Sequence, residues 1–260
     1  TNALTNSVTI EGNHFGMGDG VFATRSGNIV FSGDGKSSTG RHIRAWNLDN
    51  PQSPNQLWEN SSANAVFATW YPTDGTSDYI AVLKQGGSIY ILNVSDGSVK
   101  VEIPISNVST GGNPAWRCAT FAEDGQSIYC GLGRDSGPDL YNVWPVYQYD
   151  LDGNLLGTLD YVENAAFARS YFWPYFGINI AVGTGFVAVM ASKDLRDGAW
   201  NGNRNDPLDD HQGRIHIYDP ATRNRIAVIQ DYLPQSQRHY NDFGDSGRWM
   251  DASGTKLILG

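Results

Sequence analysis

Apolar and polar positions along the chain alternate every second residue over short stretches. In "RIHIYDPATRN", Ile215 and Ile217 are set against His216 and Tyr218 before the sequence turns polar. A period of two is what a strand with two different faces requires. The same figure occurs in "RHIRAWNLDN", "SIYILNVSDG" and "PVYQYDLDG". One more short strand follows each polar turn, as in "NQLWEN", "SVKVEI", "NLLGTL" and "RIAVI". Ahead of each figure stand two apolar runs joined through a glycine turn: "VFATRSGNIVFSG", "VFATWYPTDGTSDYIAVL", "RCATFAEDGQSIYCGLG" and "NIAVGTGFVAVMA", with "RWMDASGTKLILG" as a fifth copy at the end. The turn glycines Gly27, Gly75, Gly125, Gly185 and Gly254 lie 48, 50, 60 and 69 residues apart.

The repeating unit is thus a meander of four strands, A-B-C-D, about 50 residues long. One such meander cannot bury both of its faces, but several arranged radially bury each sheet against its neighbours. The expected fold is all-β, a β-propeller of four-stranded blades. A β-sandwich or β-helix would also supply many short strands, but a constant strand order with variable insertions favours the propeller. Blades are expected at about 13–62, 63–113, 114–168 and 169–240, with a partial fifth at 241–260, all in one domain. "SVTIEG" (Ser7 to Gly12) reads as a D strand able to close the ring from the N-terminal side. Strand C of the fifth blade is then missing, so the sequence reads either as a five-bladed ring with a three-stranded blade or as a piece of a larger propeller.

"LNVSDGSVKVEI", "YDLDGNLLGTL" and "YDPATRNRIAVI" each run from a strand through an Asp-containing turn into a second strand. In this the chain resembles the blades of quinoprotein-like and YVTN-type propellers, which are related in architecture to WD40 proteins. The resemblance implies a fold and leaves the activity open.

Composition narrows the partners. A net charge of -9 leaves no basic excess to displace counterions from a phosphate backbone, which argues against general nucleic-acid binding. No apolar run of 18 residues is present to form a membrane-spanning helix. Thr1 stands where an initiator Met would, so the start reads as a processed or excised end, which fits secretion and equally fits a fragment; a secreted, cell-surface or periplasmic location is the expectation.

Strand parity assigns the candidate working face. In a meander the A-B and C-D turns lie at one end of the sheet, and the B-C and D-to-A connections lie at the other. The long connections fall in the second class: Gly131 to Trp144, Lys193 to Gly213, Asp160 to Phe176 and Asp231 to Gly247. Loops longer than about 12 residues in a compact domain are usually functional or disordered. These loops carry a set of aromatic and basic groups: Arg169, Tyr171, Trp173, Tyr175, Trp200, Arg238, His239, Tyr240, Arg248 and Trp249. Such groups hold carbohydrate rings and anchor protein interfaces; packing of the loops themselves is the alternative.

Asp206, Asp209 and Asp210 could supply oxygen ligands to Ca2+, the one cofactor the sequence suggests, with a solvated acidic loop as the alternative. "DLDGN" (Asp150 to Asn154) lacks the Gly and Glu of a Ca2+ loop and reads as a hairpin turn. His239 with Asp242 or Asp245 could form an acid/base pair. No Gly-x-Ser-x-Gly, His-Glu-x-x-His, Cys-x-x-Cys-His or adjacent Cys-Cys pair occurs, and there is no Gly-rich phosphate loop. Cys118 and Cys130 flank a turn centred on Asp124, which would set them opposite each other for a cross-strand disulfide; two buried thiols are the alternative. Asn60, Asn93 and Asn107 stand in glycosylation sequons. The expected role is binding or assembly with a protein or glycan partner through the loop face, without catalysis. An enzyme acting on carbohydrate, or a quinone-dependent dehydrogenase, is the alternative.

Overall fold

The computed structural model describes residues 21–23, 29–33, 42–50, 53–61, 66–70, 78–84, 87–107, 114–134, 144–161, 176–191, 214–230 and 250–259. The proposed closing strand at 7–12 lies outside them. By internal packing the chain divides into two units, Thr1–Pro104 and Ile105–Gly260.

The first unit holds two four-stranded antiparallel sheets. Sheet I is β1 (Val21–Ala23), β2 (Ile29–Gly33), β3 (Ile43–Asn47) and β4 (Asn55–Asn60). Sheet II is β5 (Val66–Trp70), β6 (Tyr79–Lys84), β7 (Ser88–Asn93) and β8 (Val99–Pro104). In both, the spatial order is the chain order, so each sheet is a simple meander. Their shared core joins Ile43, Ala45 and Trp58 of sheet I to Ile80, Val82, Tyr90 and Leu92 of sheet II. Each fully buried Ile or Leu there contributes about 1.5–3 kcal/mol relative to an exposed one. Trp58 adds direction to this contact: its Nε1–H donates to the Val94 carbonyl at 2.7 Å, in the turn after β7.

The second unit opens with a 3-10 turn at Ile105–Asn107 and continues into sheet III: β9 (Pro114–Phe121), β10 (Ser127–Arg134), β11 (Val146–Asp150) and β12 (Leu155–Leu159). Sheet IV is β13 (Phe176–Gly183), β14 (Phe186–Ala191), β15 (Arg214–Tyr218) and β16 (Arg225–Gln230). Both are again meanders. A hairpin of β17 (Met250–Ser253) and β18 (Lys256–Leu259) forms sheet V. Ala181, Ala188, Met190 and Ile215 of sheet IV pack on Ala252 of that hairpin. Among the described residues no helix is long and apolar enough to cross a membrane.

Burial grades across each sheet. β7 is buried at Ser88 through Leu92, whereas β4 buries Trp58 alone. A strand buried on both faces reads as a continuous apolar run, while the outermost strand of a sheet keeps contact with water.

Two local devices recur. The first closes the C-D turns with an Asp side chain. Asp150 accepts from the backbone N–H of Asp152 at 2.9 Å and of Asn154 at 2.8 Å. Asp219 accepts from Ala221 and Thr222, and Asp96 from Ser98. "DLDGN" is therefore a hairpin turn. The second is a β-bulge at the same rung of every outer strand. Register slips by one residue between Ala45 and Trp46, Ile91 and Leu92, Gln148 and Tyr149, and Ile217 and Tyr218. The extra residues are Leu57, Lys100, Leu156 and Ile226. A bulge twists an edge strand and interrupts its ladder, which blunts the edge against pairing with another chain.

Candidate functional site at the loop-bearing rim

The register of sheets III and IV places their long connections. At one end of the strands lie the pairs Pro114 with Arg134, Val146 with Leu159, Phe176 with Ala191, and Arg214 with Gln230. Segments 135–143, 162–175, 192–213 and 231–249 all leave from this end. At the other end the strands are joined by short turns, from Phe121 to Ile128, Tyr149 to Leu155, Gly183 to Phe186 and Tyr218 to Arg225.

The two sheets are stacked in the same sense. Gly177, near the loop end of β13, abuts Gly131 and Val146 in the loop half of sheet III. Toward the other end, Arg223 of the β15–β16 turn donates from Nε to Gln148 Oε1 at 3.0 Å, and Gln148 Nε2 donates to Ser127 Oγ at 2.9 Å. Arg223 reaches this position from a left-handed backbone, φ 61°. The loop-bearing ends of both sheets therefore share one rim.

Beneath that rim lies an aromatic cluster around His216, which is fully buried in β15. Tyr161, just past β12, and Phe176, the first residue of β13, meet edge-on with ring centroids 5.4 Å apart. Both also contact His216, at 5.3 and 5.5 Å. Tyr218 lies 6.2 Å from Phe176 and donates its hydroxyl proton to the Asp160 carbonyl at 2.8 Å. An Arg225 guanidinium nitrogen lies 3.2 Å from His216 Nδ1. A guanidinium only donates, so Nδ1 accepts and the ring proton sits on Nε2.

The opposite face of sheet III carries a second cluster. Trp116 meets Tyr147 and Tyr149 edge-on at 5.9 and 6.3 Å. Its buried indole N–H has no acceptor among the described residues. Burial pushes the Tyr149 hydroxyl up to about 12 and also raises Tyr147, with the Asp160 charge adding to the latter.

Most residues singled out in the sequence lie beyond what the structure describes. The aromatic and basic set, the carboxylates Asp206, Asp209 and Asp210, and the pair of His239 with Asp242 or Asp245 fall in 162–175, 192–213 and 231–249. Among the described residues no three His, Cys, Asp or Glu side chains are grouped to hold a metal.

The cysteines are described, and they correct an expectation. Cys118 pairs with Gly131, and Cys130 with Ala119, one rung away from facing each other. The β9–β10 turn spans four residues, Glu123 to Gln126, because Ala122 N–H already bonds the Ser127 carbonyl. Its centre falls between Asp124 and Gly125, and a slip of one residue turns a side chain to the other face. Both are buried free thiols. Burial pushes Cys118 up to about 12 and Cys130 well above its ordinary range, so neither is a thiolate nucleophile.

Of the sequon residues, Asn60 commits its amide to the Gly97 carbonyl at 2.6 Å, and Asn93 donates to Ser98 Oγ at 2.8 Å. Asn107 ends the 3-10 turn. Sequence reasoning passed over the His216 cluster. The signal was the alternation in "RIHIY", which marks a strand with two different faces but does not show that both are buried.

No protein-family model matches the chain, and no curated protein matches its sequence. Solved structures do. The β-propeller domain of Cps50 (Swd1) from Myceliophteria thermophila superposes at TM-score 0.54 and 17% identity, over 87% of this chain and 58% of that one. Sqt1 from Saccharomyces cerevisiae gives 0.53 at 10% identity, over 90% and 53%. BamB from Moraxella catarrhalis gives 0.48 at 14%, over 81% and 52%. The chain spans roughly half the length of these structures. The likeness to Swd1 and Sqt1 shows the fold: all-β, of the β-propeller type.

Proposed function

We propose that this chain is an interaction scaffold, a propeller that holds a protein partner on its loop-bearing rim and performs no catalysis. One observation carries the reading: in sheets III and IV every long connection leaves from one shared rim, while short hydrogen-bonded turns close the other end. Loops raised on a rigid strand scaffold are where binding residues concentrate. Swd1 and Sqt1 support the fold beneath this reading and nothing finer.

The rest of the proposal is more specific. The partner is a protein, with glycan recognition as the variant that the aromatic set also suits, and Ca2+ is the cation that Asp206, Asp209 and Asp210 would take. The location is extracellular or periplasmic. The β17–β18 hairpin forms strands A and B of a further blade, completed by added strands for which residues 7–12 are one source. Supporting this, Ile229 is 41% exposed and Ala227 is exposed on the side of sheet IV that packs against the hairpin.

The test compares capture of partners by the wild type, by a Trp173→Ala/Trp200→Ala/Trp249→Ala variant, and by Leu156→Lys on an outer strand. Loss in the rim variant with retention in Leu156→Lys is the expected result. A partner bound equally by all three proteins refutes the rim as the binding face, and binding to a glycan array alone replaces the protein partner.

A further inference from the structure

At the turn end of sheets III and IV, away from the long connections, one arginine is held in place at a conformational cost. In the β7–β8, β11–β12 and β15–β16 turns a backbone N–H folds back onto the carbonyl of an earlier turn residue: Gly97 onto Asn93, Gly153 onto Asp150 and Arg223 onto Asp219. The first two donors are glycines at φ 70° and 85°, whereas Arg223 takes the same left-handed backbone, at φ 61°, against the preference of any residue with a Cβ. Its side chain is then fixed along its length. Nε–H donates to Gln148 Oε1, Gln148 donates in turn to Ser127 Oγ, and both of those residues are buried. The stem occupies a notch left by Gly157 of β12, where a Cβ would lie 2.8 Å from Nε and 3.0 Å from Cδ and Cζ. What remains is the Nη1/Nη2 edge of the guanidinium, which has no acceptor and no carboxylate partner among the described residues. A chain with 27 Asp and Glu against 18 Lys and Arg has ample carboxylates to neutralise it.

A second donor stands beside it. Tyr129 of β10 is the ladder partner of Gln148, so the two side chains share a face. Tyr129 is 1% exposed, and its hydroxyl has no hydrogen-bond partner among the described residues. Burial pushes this hydroxyl up to about 12, with the Arg223 charge opposing the rise and the Asp124 charge adding to it, so at neutral pH it keeps its proton to donate.

We propose that the Nη edge of Arg223 and the Tyr129 hydroxyl form a binding site for a carboxylate, either free or carried on an acidic peptide. The guanidinium edge presents two parallel N–H groups that match the two oxygens of a carboxylate, and Tyr129 supplies a third bond to a remaining lone pair. The Asp124 charge, which acts on the same hydroxyl, selects within the anions: it opposes the two charges of a phosphate more than the single charge of a carboxylate. Packing between sheets III and IV uses Nε and the stem of Arg223 and has no need of the Nη edge. The site lies at the opposite end of the strands from the rim, so neither reading falls with the other.

The test follows the backbone amide signals of residues 219–224 in the isotope-labelled full chain as acetate replaces chloride at constant ionic strength. Acetate should shift them saturably. Tyr129→Phe, which loses one hydrogen bond to a charged group, should weaken binding about ten-fold. Arg223→Lys keeps the charge but not the fork, and should weaken it by about ten-fold or more. A hexaglutamate peptide that acts at much lower concentration than acetate places the carboxylate on a peptide; acetate acting at the same or lower concentration places it on a small molecule. No saturable shift with either probe overturns the proposal, as does wild-type affinity in folded Tyr129→Phe and Arg223→Lys. Equal shifts with uncharged acetamide, or tighter binding of inorganic phosphate than of acetate, overturn it too.

Discussion

The approach of the Gly131 backbone to the Gly177 backbone, between sheets III and IV, sets up a quantitative test. A Cβ placed on Gly131 would lie 1.8 Å from the Gly177 carbonyl oxygen and 2.8 Å from its carbon. An ordinary carbon–oxygen contact is about 3.3 Å, so Gly131→Ala demands a retreat of roughly 1.5 Å. The obstructing atom belongs to the backbone of β13 and cannot rotate away as a side chain would. Overpacking costs about 1–3 kcal/mol, and a rigid obstacle places this substitution at the upper end, about 3 kcal/mol. For a chain of this size each kcal/mol lowers the melting temperature by about 2–4 °C, so the expected drop is roughly 6–12 °C. Gly125→Ala is the control. Nothing lies within 4 Å of its Cβ position, but its φ of +66° is left-handed, so it costs about 1–2 kcal/mol through backbone strain alone. Thermal unfolding followed by circular dichroism compares two identical chemical changes with different causes. If Gly131→Ala melts no lower than Gly125→Ala, sheets III and IV do not meet at this point, and the shared rim loses its geometric basis.

Arg223→Ala should cost about 1.5–3 kcal/mol by removing the charged bond to Gln148, whereas Arg223→Gly loses the same bond but relieves a left-handed backbone worth about 1 kcal/mol. Urea titration that finds the Gly variant no more stable than the Ala variant would sink this account. Cys118 and Cys130 should resist a thiol reagent in the native protein and both react after denaturation without reductant; no free thiol in the denatured protein would restore the disulfide. Hydrogen bonds from Asn154 and Thr222 hold Asp150 and Asp219 below the usual carboxylate value of 3.8. Their contribution is present above that pH and is lost as pH falls through the lower folded values. Asp150→Asn/Asp219→Asn should therefore lose stability less steeply than wild type below about pH 4, and parallel curves would contradict it.

How far the sequence could be read depended on what each residue has to do. Strand positions were legible because inner strands such as "SIYIL" need an unbroken apolar run, and turns because Asp and Gly have few other uses there. Register was not. Whether the β9–β10 turn holds an odd or an even number of residues decides which residue faces Cys118, and composition is silent on that. The outer-strand bulges escaped for the same reason, since Leu57, Leu156 and Ile226 look like ordinary strand residues until the pairing is known. His216 misled in a different way. Alternation separated it from Ile215, yet both side chains are fully buried, because sheet IV packs on the β17–β18 hairpin at one face and meets sheet III and Tyr161 at the other.

The turns closed by Asp96, Asp150 and Asp219 have a bearing on protein engineering. In each, backbone N–H groups two to four residues ahead donate hydrogen bonds to the Asp carboxylate and stitch the turn. An inserted residue breaks that stitch and shifts the following strand out of register. At the opposite ends, where Arg134, Ala191 and Gln230 leave their sheets, the connection need only return to the next strand. Foreign peptides should therefore graft onto one end of sheets III and IV and not the other. Such a division lets the scaffold stay constant while the segments it displays are exchanged.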